Sequence, residues 1–278
     1  MSRYGLQWVL KRMPWKWRQG VLEGLADLLN AGQLADSLRH LAMERAESLP
    51  PEDALRFLMH LDNALYSLHG RNAVLYGNGL HVKHRLMCYH DFFVERVRSG
   101  ERVLDVGCGN GALTQDMAER SGARVLGIEL DGTKVAKAME NPHPLVEFRV
   151  GDATALGEEV GQFDVVTLSN VLEHLLDRAA FLRRLQQLVN PSRFLLRVPL
   201  FERDWRVPLK RELGVEWRLD PTHETEYSLE SFAAEMVEAG LNVRHQEVRW
   251  GEIWAEVFSN PSTKKSAFTQ YSKKIYIG

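Results

Sequence analysis

From Glu101 onward the chain alternates short apolar runs with longer amphipathic stretches, and nothing else in the sequence constrains the fold as strongly. The runs are Arg102–Val106, Arg124–Ile128, Val146–Val150, Phe163–Leu168 and Phe194–Val198. Helical patterns lie between most of them, for example Ala179 to Val189. Short apolar strands separated by helices predict an α/β fold, with a parallel sheet covered on both faces. Near the end, Leu241–Arg249 and Glu252–Phe258 flank a Trp250-Gly251 turn. That pattern predicts a hairpin, hence an antiparallel addition to the sheet edge.

The first hundred residues are helical in pattern. Leu34, Leu38, Leu41 and Arg45 follow helical spacing, as do Leu55, Leu58, Leu61, Leu65 and Leu68. Pro50 and Pro51 separate the two segments, and Pro51 suits a first helical turn. After a turn at Tyr76-Gly77-Asn78-Gly79, His81 to Arg98 predicts one more helix. A chain of 278 residues can bury a sizeable core without staples. With 35 basic and 37 acidic residues it lacks the positive excess of a dedicated nucleic-acid binder, so no nucleic-acid partner is expected. Two cysteines, Cys88 and Cys108, make neither a disulfide framework nor a four-ligand zinc site. There is no apolar run of about 18 residues and no secretory apolar region, so a cytoplasmic enzyme or binding protein is expected.

The strand Arg102–Val106 runs into Gly107-Cys108-Gly109-Asn110-Gly111, and Leu113 to Arg120 can be helical. A glycine turn between strand and helix lets backbone approach a ligand closely. Glu129 closes the second strand, where an acid can accept both hydroxyls of an adenosine ribose. Gly107, Gly109 and Ala112 also satisfy the dinucleotide spacing, so two cofactor classes compete. Asp105, two residues before the first glycine, would repel a pyrophosphate but suits the ammonium and sulfonium of S-adenosylmethionine. Asp152, after the third strand, can accept from an adenine amino group.

Val103 to Gly111 resembles the first motif of class I S-adenosylmethionine-dependent methyltransferases. Glu129, Gly151-Asp152-Ala153 and Phe163-Asp164-Val165-Val166 match the later motifs in order and spacing. The similarity covers about residues 80–258. It implies a Rossmann-like, seven-stranded, mostly parallel sheet with a terminal antiparallel hairpin. Together with the helical periodicity before it, this predicts a helical N-terminal region over 1–98 that caps or dimerises, a methyltransferase core over 99–258 and a polar tail over 259–278. The resemblance also implies Gly107, Cys108 and Gly109 under the methionine part of the cofactor. Glu129 and Leu130 then meet the ribose, Asp152 and Ala153 the adenine, and Ser169-Asn170 the methionine amine. Cys108 is expected to fill the loop, not to act as a nucleophile.

Methyl transfer from a sulfonium needs alignment, and an alcohol acceptor needs help losing its proton. His174, in Val171-Leu172-Glu173-His174-Leu175, is the first candidate base. The long connection Pro199–Tyr227 carries Arg203, Arg206, Trp205, Trp217, His223 and Glu224 among its charged and aromatic residues, and suits a binding loop or lid. His223 and Glu224 with Glu173 and His174 form a candidate divalent-cation site. His81-Val82-Lys83-His84-Arg85 is a candidate to close over the cofactor carboxylate, whereas Tyr89, His90, Phe92 and Phe93 are expected to pack a helix. The overall pattern resembles bacterial O-methyltransferases of cell-surface saccharides, which makes a sugar hydroxyl the first acceptor expected. A phenolic or quinone-precursor acceptor and a non-catalytic cofactor-binding protein are the alternatives. Residues 1–20 hold Arg3, Lys11, Arg12, Lys16 and Arg18, no acid, and interleaved tryptophans. They are a candidate for weak contact with an anionic membrane, docking on the helical region being the competing role.

Overall fold

The protein is described from a computed structural model that places residues 12–259. Most of the expected N-terminal basic segment and the polar tail lie outside the described residues. The chain divides into two compact units, residues 1–66 and 67–278.

In the first unit, α1 spans Trp15–Ala26 and α2 Ala31–Glu47, and α3 (Pro51–Tyr76) runs on into the second. Asn30 caps α2 in a reciprocal box with Gln33, satisfying two helix-end donors. Pro51 opens α3, followed by Glu52 and Asp53, whose charges suit a helix N-terminus. Across these three helices only Met59 is buried.

The single helix expected over His81–Arg98 is two: α4 (Lys83–Met87) and α5 (Tyr89–Val94). Cys88 between them adopts a left-handed conformation, φ 49°, which a continuous helix does not allow. The sheet follows as β1 (Arg102–Val106), β2 (Arg124–Glu129), β3 (Val146–Val150), β4 (Val165–Ser169), β5 (Arg193–Pro199), β6 (Leu241–Arg249) and β7 (Glu252–Ser259). Helices α6 (Ala112–Ser121), α7 (Gly132–Ala138), α8 (Arg178–Val189), α9 (Arg206–Glu212) and α10 (Leu229–Glu238) connect them. The strand order is β3-β2-β1-β4-β5-β7-β6, and β7 runs opposite to the other six strands. Phe163 lies before β4, not in it, because its N–H donates to Val189 O at the end of α8.

Alternate residues of each strand face opposite layers. Leu104, Leu126, Val166 and Leu196 pack with Leu182 and Leu185 of α8 and Phe232 of α10. Val103, Val125, Val165 and Leu195 pack with Phe93 of α5 and Met117 of α6. Both faces are therefore dry, as the continuous apolar runs require. Trp250 (φ 54°) and Gly251 (φ 75°) make the hairpin turn, the twin positive φ values matching the twist of the flanking strands.

Candidate active site

β1 and β4 are neighbours whose crossovers leave in opposite directions, so a crevice opens at their carboxyl ends. The glycine loop turns there. Gly107 (φ 67°) admits no side chain, since a Cβ would lie 2.6 Å from Val171 Cγ2. Gly107 and Cys108 both donate to Ile128 O, at 2.8 and 3.1 Å. Glu129 accepts from the N–H of Gly109 and of Asp131, each at 3.0 Å, so the acid braces both loops with lone pairs left over.

A cavity of about 240 Å³ occupies the crevice. Of the residues expected to hold cofactor, Asp105, Gly107, Cys108, Gly109, Ser169 and Asn170 line it. Glu129 and Leu130 stand beside it at the end of β2, and Asp152 and Ala153 follow β3, none of the four in the lining. Leu130 is largely exposed there. Asp152 accepts from Thr154 N and Oγ1 at 2.8 and 2.7 Å, and these bonds hold its pKa below the usual carboxylate value.

Asp105, near the end of β1, lines the cavity. It is buried and accepts from Thr114 Oγ1 of α6 at 2.6 Å and Thr167 Oγ1 of β4 at 2.7 Å. Burial raises its pKa to about 6 against the pull of the two hydroxyls. It fastens the loop's flanking elements together, α6 through Thr114 and β4 through Thr167. Burial also pushes the Cys108 thiol far up, which keeps it un-ionised and inert as a nucleophile.

The remaining wall of the cavity is cationic and aromatic. Lys83, His84, Tyr89 and Arg197 line it. Arg197 forks onto Glu252 at 2.6 and 2.8 Å, donates to Ser169 Oγ at 3.0 Å, and lies 3.9 Å over the Tyr89 ring. Trp254 Nε1 donates to Glu252 at 3.0 Å. Tyr89 Oη and His84 Nδ1 are 2.9 Å apart. Burial, then the neighbouring His90, drops the His84 pKa to about 4, and burial raises that of Tyr89 to about 12. Lys83 is lowered by burial and then by Arg197. Tyr89 is thus a wall residue, not helix packing alone. Arg197 was missed in the sequence, although a charge inside the apolar run Phe194–Val198 was its signal.

Next to Asn170, the chain folds Glu173, His174 and His223 together, with ligand atoms all within 4.8 Å. The two rings meet edge to face at 4.7 Å. Thr222 Oγ1 lies 2.7 Å from Asp220 Oδ1, which can only accept, so the hydroxyl proton goes there. Thr222 Oγ1 must then accept from His174 Nδ1, 3.0 Å away, which leaves Nε2 as the basic atom. His223 Nδ1 likewise pairs with Glu226 Oε1 at 3.1 Å. Burial, then His223, lowers the His174 pKa. Glu173 is fully buried, neither of its carboxylate oxygens has a hydrogen-bond partner, and burial raises its pKa to about 8. Asn170 Oδ1 is also buried and unpartnered. Orphaned buried oxygens beside two oriented imidazoles fit a divalent cation's mixed donor set.

Glu224 does not join them. Its side chain is exposed, and its backbone N–H donates to Glu173 O at 2.7 Å. The acid that holds His223 is Glu226, itself paired with Arg203. Three arginines of this connection are engaged within it. Arg203 also donates to Leu200 O and Trp217 O, Arg206 pairs with Asp204, and Arg218 with Glu216 and His223 O. Trp217 packs edge-on against Phe201 at 5.2 Å, while Trp205 stays exposed.

The strand order, with a glycine loop and a cavity at the switch point of the sheet, is that of a Rossmann-like methyltransferase fold. Residues 80–246 match the family model described as "Methyltransferase domain" (Methyltransf_23), and the chain belongs to that family. It is 34% identical over 152 residues to a 2-methyl-6-phytyl-1,4-hydroquinone methyltransferase of Synechocystis, matching 51% of this chain and 46% of that one. It is 36% identical over 157 residues to a ubiquinone biosynthesis O-methyltransferase of Leptothrix cholodnii, matching 52% of this chain and 66% of that one. The chain thus spans about half to two thirds of the length of these relatives. Among solved structures, magnesium protoporphyrin IX methyltransferase from Synechocystis with bound S-adenosylhomocysteine superposes with TM-score 0.51. That match is 19% identical and covers 65% of this chain and 85% of the other. The small RNA methyltransferase HEN1 superposes with TM-score 0.54 at 17% identity, over 63% of this chain and 26% of the other. The chain therefore carries a methyltransferase domain.

Proposed function

We propose that the chain O-methylates a phenolic hydroxyl of a catechol or hydroquinone type, using His174 Nε2 as base beside a divalent-cation site offered by Glu173 and His223. The observation that carries this reading is the fixed His174 tautomer beside two orphaned Glu173 oxygens. A phenol (pKa about 10) gives up its proton far more readily than an alkyl hydroxyl, which behaves like water at about 15.7. An imidazole of lowered pKa is a weak base and suits the former. The hydroquinone and ubiquinone relatives support the same class, so the sugar acceptor gives way to it.

When bound, S-adenosylmethionine supplies an electrophilic methyl group on a sulfonium, and the leaving group departs neutral. The glycine loop and Asn170 hold its methionine end, Glu129 and Leu130 its ribose, Asp152 and Ala153 its adenine. Lys83 and His84 offer positive or N–H donors for its carboxylate. A cation here would be held by the Glu173 carboxylate and His223 Nε2 and would lower the pKa of an acceptor hydroxyl, leaving His174 Nε2 free to take its proton. Thr222 and Glu226 keep both rings turned so that Nε2 faces outward from its own hydrogen bond. Two unpaired cysteines accord with a cytoplasmic setting, and no helix among the described residues is long and apolar enough to cross a membrane.

The test is S-adenosylhomocysteine formation with catechols, hydroquinones and hexose glycosides, with and without chelator. Turnover on the phenols that falls with chelator and returns with magnesium supports the whole reading. Turnover only on the glycosides overturns the acceptor class, and chelator-insensitive turnover overturns the cation.

A further inference from the structure

The side chains that meet at His174 come from two segments with no continuous element between them. His174 ends the single helical turn Leu172–His174, and Thr222 lies in the connection that closes at Tyr227. One turn closes few bonds of its own. His174 N donates to Val171 O at 3.1 Å and Leu175 N to Leu172 O at 3.0 Å, too little to fix a helix in place.

Glu235 of α10 reaches both segments. Its Oε2 accepts from Arg178 Nε at 2.7 Å, and its Oε1 from Tyr227 Oη at 2.6 Å. Arg178 opens α8 and turns Nη1 back onto Leu175 O, the carbonyl after His174, at 2.8 Å. Tyr227 fixes the end of the connection. Its N–H donates to Pro199 O at 3.1 Å, and its O accepts from Phe201 N–H at 2.7 Å. Tyr227 is 1% exposed, and the side chains of Arg178 and Glu235 are 20% and 11% exposed. Burial, then Glu235, raises the Tyr227 pKa, so the phenol stays un-ionised and donates. One carboxylate thus gives one oxygen to each half of the His174–Thr222 contact.

We propose that Glu235, with Arg178 and Tyr227, is a positioning clamp that holds the His174 turn against Thr222 and so keeps the imidazole in its Nδ1–H form. The clamp acts on turnover only through His174, and so rests on the reading of that residue as base. Apolar side chains of similar volume would tie α8 to α10 at least as stably as a charged pair taken out of water. What the charged set adds is direction, since its hydrogen bonds fix the Leu175 carbonyl and the Tyr227 hydroxyl at definite angles. Without it, the 3.0 Å approach of Thr222 Oγ1 to His174 Nδ1 depends on Glu224 and Thr225 N–H donating to Glu173 O, at 2.7 and 3.3 Å. A ring that loses its Nδ1 partner exchanges between tautomers.

The test uses the full chain, free of metal for spectroscopy, with S-adenosylhomocysteine formation from catechol for turnover. In nitrogen NMR spectra of protein labelled at its histidine rings, the His174 signal, assigned by its loss in His174→Ala, should show the proton on Nδ1. Tyr227→Phe cuts one arm of the clamp. It should move a substantial part of that proton to Nε2 and lower kcat by about ten- to a hundredfold, with S-adenosylmethionine affinity unchanged. Arg178→Met cuts the other arm and should do the same, and the two together should cost little more than either. Met236→Ala loosens the packing of α10 without touching the clamp, and should keep both tautomer and kcat. If Arg178→Met fails to fold, Tyr227→Phe and Met236→Ala decide alone. An unchanged tautomer and rate in Tyr227→Phe, an equal shift in Met236→Ala, or losses that multiply in the double variant overturns the clamp. Full turnover in His174→Ala overturns the base instead, and the tautomer in Tyr227→Phe then still decides the clamp.

Discussion

His174 Nδ1 sits 3.0 Å from the hydroxyl of Thr222, and that hydroxyl's own proton is committed to Asp220 2.7 Å away. The imidazole is therefore held as the tautomer whose Nε2 is a free base. If it takes the acceptor's proton, His174→Ala lowers turnover by about 10²–10⁴ with cofactor affinity nearly unchanged. Thr222→Val, which removes the tautomer lock, costs less, about tenfold. Because burial and His223 lower the His174 pKa, the active neutral form is complete earlier than for an ordinary histidine. Activity rises with pH below the ordinary histidine range and is flat through neutrality. A pH–rate profile that keeps rising past pH 7, or a full rate in His174→Ala, contradicts the role.

Asp105 offers a stability test with a definite sign. Its folded pKa of about 6 lies above the ordinary 3.8, so the native state binds its proton more tightly than the unfolded chain. Its contribution to stability is complete below the unfolded value and is lost as pH rises toward and through 6. Asp105→Asn keeps partners for Thr114 and Thr167 but carries no charge. At pH 7.5 the variant is expected to be more stable, by up to about 3 kcal/mol, and the advantage to vanish near pH 4. Thermal unfolding across that window measures it; a variant less stable at pH 7.5 refutes it.

The sheet and its hairpin were legible because apolar runs and a turn dipeptide are local signals, as at Arg102–Val106 and Trp250-Gly251. The glycine loop was legible for the same reason. What the sequence could not show is which charges meet. Glu226, not the adjacent Glu224, reaches His223, because the turn from Asp220 to Tyr227 points one inward and the other out. Asp105 lines the cavity, but the threonines that brace it, 9 and 62 residues away, left no local signal. The break at Cys88 left no glycine or proline to mark it.

Glu129 serves two ends at once. It accepts from Gly109 and Asp131 N–H groups and stands where the ribose hydroxyls are expected. Glu129→Ala should weaken S-adenosylmethionine binding by about 1–3 kcal/mol in calorimetric titration, and NAD should not bind. Glu129→Gln keeps one acceptor oxygen and should lose less than the alanine. Unchanged affinity in the alanine variant would remove Glu129 from the cofactor site.

Arg197 and Glu252 are a buried pair, so their separate removal differs from their joint removal. Arg197→Met strands the Glu252 carboxylate between β5 and β7 and should cost about 3–5 kcal/mol of stability. Arg197→Met with Glu252→Gln removes both charges, and denaturant unfolding should show more than half of that loss restored. The site tells the two roles of the arginine apart. Both variants lose the 3.0 Å bond to Ser169 and the guanidinium over Tyr89, so cofactor affinity should stay low in the double variant although its fold is recovered. Recovery of both stability and affinity would make Arg197 a structural tie between strands and nothing more.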